Sequence, residues 1–214
     1  MLYYLALGIA KAFFYLKYNI KVEGKENLPE NQAAIFVSNH RTYADPPLIA
    51  ICSWRRFSFM AKEELFKNKL FGGLIRSLGA FPVSRGKGDM KVIDTAVERV
   101  RSGQNLAVFP EGTRSKDGKV GRGKTGAALI AAKCGAPVVP AGIIFEGEKL
   151  KFRTKIKVVY GKPIDTAQYY IGDAEPDPRK LVKLKNLFMN EIKSIVEGDT
   201  VVPSLDDTES REEE

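Results

Sequence analysis

Polar and apolar positions along the chain fall into short apolar runs separated by longer segments whose apolar residues recur at helical spacing. Residues 34–37, 57–62, 79–83, 105–109, 137–145 and 155–160 read as strands. Between and after them, residues 45–53, 63–78, 89–102, 123–134 and 177–197 read as helices, with Gly103 and Gly135 as stop signals. In the second of these helices Leu65, Phe66, Leu70, Phe71, Leu74, Ile75 and Leu78 form a stripe, which core packing explains although Gly72-Gly73 weakens the middle. In the last helix Leu181, Leu184, Leu187, Phe188, Ile192 and Ile195 share one face. Strands alternating with helices predict an α/β fold: a single domain over residues 21–200, with a mixed, largely parallel central sheet flanked by helices.

The first segment, MLYYLALGIAKAFFYLKY, is nearly all apolar and aromatic but carries Lys11 and Lys17. A spanning helix needs about 20 predominantly apolar residues, so residues 1–20 are expected to be an amphipathic helix lying in a membrane interface. Two alternatives stand beside this: a helix buried in the core, and a signal peptide, for which Ala10-Lys11-Ala12 offers a nominal cleavage site but no positive region precedes the apolar run.

Composition sharpens the picture in one respect. The formal charge is +8, yet the last ten residues hold six acids and one base, so residues 1–204 carry +13. The acidic tail, residues 201–214, is expected to be disordered, and the basic remainder suits anionic partners. Nothing resembles a nucleic-acid motif, although Trp54-Arg55-Arg56-Phe57 interleaves aromatics with arginines in a way that suits a bilayer interface or an ordinary strand edge. Cys52 and Cys134 lack CxxC spacing and have one histidine for company, so no zinc site or disulfide framework is indicated and a reducing cytosol is the simpler inference.

Candidate chemistry concentrates in residues 33–47, AAIFVSNHRTYADPP, where an apolar strand ends in a histidine and an aspartate. His40 is the only histidine in the chain, and its ordinary pKa of about 6.5 lets it accept a proton near neutrality. Asp45 lies five residues on, about 140° away on an ideal helix, so only a loop would bring the pair together, and Pro46-Pro47 supports a helix starting near Asp45. The pair resembles the base half of a hydrolytic triad, with no serine or cysteine nucleophile obviously attached, and therefore suits activation of a substrate hydroxyl. The plainer alternative is a helix-capping aspartate beside a loop histidine. Farther on, Arg85 ends a short strand where it could hold a phosphate, and residues 114–124 carry five bases against one acid. GKVGRGKT at 118–125 matches a phosphate-binding loop pattern and residues 121–126 match G-x-G-x-x-G, but the preceding strand ends nine residues earlier and no second-strand acid follows, which argues against a nucleotide site.

Four ordered blocks, NHRTYADP at 39–46, FPVSRG at 81–86, FPEGTRS at 109–115 and VVPAGI at 138–143, resemble the glycerolipid acyltransferase family, and most closely its bacterial 1-acyl-glycerol-3-phosphate acyltransferases. The resemblance covers about residues 33–145. It implies that His40 and Asp45 are the catalytic pair and that Arg85, Glu111, Gly112, Thr113 and Arg114 shape a glycerol-phosphate site, with Glu111 binding hydroxyls or orienting an arginine. Pro140 would shape the pocket. Lys124 joins the phosphate site on charge alone. The implied reaction moves a fatty acyl group from acyl-CoA or acyl carrier protein to lysophosphatidate, with no metal or cofactor, at the cytoplasmic face of the cell membrane by peripheral or monotopic attachment. Acceptors such as glycerol 3-phosphate or another lysophospholipid are the related alternative, and a P-loop nucleotide-binding protein or a non-catalytic basic membrane-binding protein is the alternative of a different class.

Overall fold

The computed structural model describes residues 2–83, 90–115 and 117–198. Among these residues, short 3₁₀ turns aside, thirteen α-helices and strands follow in chain order. They are α1 (Leu2–Lys17), β1 (Asn19–Glu23), β2 (Ile35–Ser38), α2 (Asp45–Ser53), β3 (Phe57–Lys62), α3 (Lys69–Ser77), β4 (Ala80–Val83), α4 (Met90–Arg101), β5 (Asn105–Val108), α5 (Gly126–Cys134), β6 (Val138–Phe145), β7 (Lys155–Tyr160) and α6 (Pro178–Glu197). The strands form one seven-stranded sheet in the order β1-β7-β6-β2-β5-β3-β4. Every neighbouring pair is parallel except β6 and β7. This is the mixed, largely parallel sheet that the alternation predicts.

Central strands show why the runs are apolar throughout. Ile35 and Val37 point into a cluster with α4, α5 and α6, whereas Phe36 points into a second cluster with α1 and α2. Both faces of β2 are covered, so all four of its residues are buried. A three-layer arrangement results, and the carboxyl ends of β2 and β5 lie side by side at one edge, because Ile35, Phe36 and Val37 pair in register with Leu106, Ala107 and Val108.

Two expectations change. Residues 63–78 do not form one helix: a 3₁₀ turn covers Glu63–Phe66, and α3 starts afresh behind Asn68, whose side chain caps it by accepting from Phe71 N at 3.0 Å. The apolar stripe there is not core, since Gly72 is the sole buried residue of α3. The other change is an additional strand, β1, at the sheet edge, where Lys21 and Lys157 both pair with Glu23 at 2.8 and 2.7 Å.

α1 buries one face and exposes the other. Tyr3 and Leu7 are buried against α2 and β3, and the Tyr3 hydroxyl donates to Arg55 O at 3.3 Å and accepts from Phe57 N at 3.1 Å. On the outer face Leu5, Ile9, Phe13 and Leu16 stand exposed. Among the described residues no helix is long and apolar enough to cross a membrane. The acidic tail expected after residue 200 and the Arg85 loop lie outside the described residues.

Candidate active site

β2 delivers His40 to the sheet edge, and the next five residues turn back on themselves. The turn is organised by Asp45, which is wholly buried. Its Oδ2 accepts the Nδ1–H of His40 at 2.7 Å, Arg41 N at 2.6 Å and Thr42 N at 2.8 Å, and its Oδ1 accepts the Thr42 hydroxyl at 2.7 Å. With Nδ1 committed as donor, the neutral imidazole presents Nε2 as its acceptor. Among the described residues nothing bonds to Nε2, and the ring is 17% exposed, stacked on Phe109 at 4.3 Å between centroids. The loop route between His40 and Asp45 is therefore the one taken. Asp45 is not the helix cap, since Ala44 holds that position without a side-chain cap bond.

The backbone of His40 is held from both sides by the block after β5. Its N–H donates to Glu111 Oε1 at 2.9 Å, and its carbonyl accepts Ser115 N at 2.7 Å. Glu111 Oε2 accepts Gly121 N at 3.0 Å. Glu111 therefore clamps two backbone segments, a role not among those expected of it, which were to bind hydroxyls or orient an arginine. Burial pushes its carboxyl above the ordinary carboxylate value, against the pull of those two N–H donors. Glycine at 121 leaves room for this contact, because a Cβ there would stand 2.8 Å from Glu111 Oε2 and would push the carboxylate aside.

The remaining predicted residues converge unevenly. Gly112 adopts φ +71°, and a Cβ on it would lie 3.2 Å from the ammonium of Lys124, so Lys124 reaches the FPEGTRS turn although it is ten residues beyond Arg114. Thr113 is exposed beside it. Arg114 stacks on Tyr43 at 3.8 Å and donates to its hydroxyl at 3.1 Å, which places its guanidinium next to the His40 turn. Pro140 lies buried in β6, paired with Val37, so it supports the sheet. Arg85 lies outside the described residues. Among the described residues no cluster of three metal-ligating side chains forms.

Sequence reasoning gave no role to two neighbours. Asn39, buried at the end of β2, accepts Ile143 N at 2.8 Å and donates to Ile143 O at 2.9 Å, fixing the strand end to β6. Arg41 donates to Phe145 O and Gly147 O, each at 2.7 Å, and lies 3.8 Å over the Phe145 ring. Its charge is thus spent on a brace, and burial lowers its pKa. The signal available for Asn39 was a polar residue closing an apolar strand. Nothing in spacing distinguishes Arg41 from a phosphate ligand.

Beside the turn opens an apolar cavity of about 600 Å³. Tyr43, Pro46 and Pro47 line it on the side of the turn, and α1, α2, β3 and α3 supply its walls, with Leu7, Ile51, Phe59 and Phe71 among them. The α3 stripe turns out to line this space in part. A basic, histidine-bearing corner thus meets a long apolar recess.

The acyltransferase family profile matches residues 19–144, which take in the sheet from β1 to β6 and the His40–Asp45 turn. The chain belongs to that family. Its relatives include the 1-acyl-sn-glycerol-3-phosphate acyltransferase of Bacillus subtilis, 31% identical over 172 residues that cover 78% of this chain and 85% of the relative. The chloroplastic 1-acyl-sn-glycerol-3-phosphate acyltransferase LPAT1 of Arabidopsis thaliana is 32% identical over 165 residues, 72% of this chain and 46% of its own. This chain spans about half the length of that plant relative and of its Brassica napus counterpart. The crystal structure of the 1-acyl-sn-glycerophosphate (LPA) acyltransferase PlsC from Thermotoga maritima matches with a TM-score of 0.68 at 28% identity, covering 92% of this chain and 81% of that one.

Proposed function

We propose that this protein transfers a fatty acyl group from an acyl thioester to the free hydroxyl of 1-acyl-glycerol 3-phosphate, forming phosphatidate for phospholipid biosynthesis. The observation that carries the reading is the His40–Asp45 contact, which commits Nδ1 and leaves Nε2 as a base beside an apolar recess. His40 Nε2 takes the hydroxyl proton as the oxygen attacks the thioester carbonyl. Asp45 stabilises the imidazolium. When the tetrahedral species collapses, the C–S bond breaks and the imidazolium returns its proton to the departing thiolate. The acceptor is the nucleophile. Burial pushes the Cys52 thiol to about 12 and that of Cys134 to about 11, so neither supplies a thiolate at neutral pH.

Arg114 and Lys124 would hold the acceptor phosphate, with Arg85 as a third cation. The cavity would take a fatty acyl chain. The thioester is carried by coenzyme A or acyl carrier protein, and the exposed apolar face of α1 would lie in the membrane interface at the cytoplasmic leaflet. Purified protein incubated with lysophosphatidate and each donor in turn tests the reading by product mass. Phosphatidate from either donor is the expected result, and its absence with both overturns the proposal.

Two substitutions separate the roles. Arg114→Ala is expected to raise the Michaelis constant for lysophosphatidate about tenfold, the lower end for a charge-assisted contact because Arg114 is solvent-exposed. Acceptors without phosphate should not register the change, whereas an equal loss on both points to structural damage. Glu111→Gln replaces one carboxylate oxygen by a donor that faces a backbone N–H, loosening His40 or Gly121. Turnover should fall about tenfold with little change in acceptor affinity. The opposite split, affinity lost and turnover kept, would mean that Glu111 binds substrate.

A further inference from the structure

α3 carries more apolar surface than the cavity uses. Leu70 is 89% exposed, Leu74 54% and Phe71 47%. Only Phe71 of these lines the cavity, so Leu70 and Leu74 face outward without a partner among the described residues. Contiguous exposed apolar side chains of this size mark a contact surface.

Position and charge say what it contacts. α1 and α3 form walls of the same cavity, through Tyr3, Leu7 and Ala10 on one and Phe71 and Ile75 on the other. The two helices thus stand as walls of one and the same cavity, each with a further apolar face exposed. Between Lys67 and Ser77 the chain holds three basic residues and no acid, and α1 holds two lysines and no acid. Trp54, 45% exposed, sits between α2 and β3 with Lys11 5.0 Å over its ring. Apolar side chains rimmed by Trp, Lys and Arg match the chemistry of a lipid interface with anionic headgroups.

We propose that the outward face of α3 is a second membrane-contacting surface, which together with α1 seats the mouth of the apolar cavity on an anionic lipid leaflet. The inference rests on the reading of the site as one for lipid substrates. Contact on both sides of the opening lets an acyl chain pass from the bilayer to the Tyr43 end without crossing water. A single helix would leave the tilt of the opening free.

The test uses full-length protein carrying Leu70→Glu and Leu74→Glu together, since neither side chain lines the cavity. Sedimentation with vesicles of phosphatidylcholine and phosphatidylglycerol should show partitioning about 100-fold weaker than wild type, roughly tenfold for each leucine withdrawn from the interface. Acylation of lysophosphatidate embedded in those vesicles should fall in parallel. Acylation of a short-chain lysophosphatidate below its micelle concentration should be unchanged. Lys69→Gln with Arg76→Gln should weaken binding only to vesicles containing phosphatidylglycerol, and this pair keeps the test decisive if the glutamate variant fails to fold. Wild-type partitioning of the folded glutamate variant, or of the neutralised pair when the glutamate variant does not fold, overturns the proposal. So does a wild-type dimer in lipid-free buffer that the variant abolishes without any change on vesicles, which assigns the face to a second copy. If wild type acylates neither acceptor, the proposed function fails while sedimentation still decides the α3 question.

Discussion

Replacing His40 by alanine is expected to lower turnover by about 1,000-fold or more, within the range that a positioned general base contributes. Binding of lysophosphatidate should survive, because the phosphate contacts assigned to Arg114 and Lys124 do not pass through the imidazole. Folding should survive as well. The ring packs on Phe109 at the sheet edge, and Asp45 keeps three of its four donors after the ring is gone. A steady-state comparison of the two proteins, with thermal unfolding as the control for structure, checks the claim. Residual turnover within about tenfold of wild type would remove His40 from the chemistry, and a protein that unfolds at room temperature would assign it to structure.

The fold was legible where burial on both sheet faces left a continuous apolar run, as in β2, β5 and β6. β1 escaped because it is an edge strand whose alternation of Ile20 and Val22 with Asn19, Lys21 and Glu23 reads as an ordinary polar link. Of the two lysines that pair with Glu23, Lys21 lies within β1 and Lys157 on the distant β7. The stripe over residues 63–78 gave the correct helical period for α3 and the wrong surroundings. Periodicity reports that a face is apolar, while whether that face meets the core, a cavity or lipid depends on neighbours far along the chain.

The site shows the same division. His40 and Asp45 stand five residues apart in a turn that their own sequence closes, so their pairing could be read directly. Glu111 lies 71 residues from His40, and its partners there and at Gly121 are backbone N–H groups, which leave no trace in residue type. The match of residues 118–125 to a nucleotide loop has a physical reading in the structure. Those glycines let the segment pass close to Glu111 at Gly121 and close to Arg41 at Gly118, where a Cβ would lie 3.0 Å from the guanidinium. Close approach of backbone to side chains asks for glycine as strongly as close approach to phosphate does.

Asp45→Asn and Asp45→Ala should part company in stability while agreeing in activity. In the asparagine variant the amide oxygen can occupy the Oδ2 position and still accept His40 Nδ1–H, Arg41 N and Thr42 N. The amide nitrogen then faces Thr42 Oγ1, which already accepts from Ala44 N at 3.1 Å and can reverse its own hydroxyl to accept again. The turn persists without its charge. An imidazolium forming on His40 would lose its counter-charge in a wholly buried position, so turnover should drop by about 100-fold or more with acceptor affinity retained. Alanine removes the acceptors altogether and strands several donors that Asp45 now satisfies, at about 1–3 kcal/mol for each one left buried and unpaired. Its thermal midpoint should therefore fall well below that of the asparagine variant, with turnover no higher. Equal midpoints for the two variants would show that water replaces the carboxylate and that Asp45 does not organise the turn. Wild-type turnover in Asp45→Asn would show that the negative charge plays no part in the transfer.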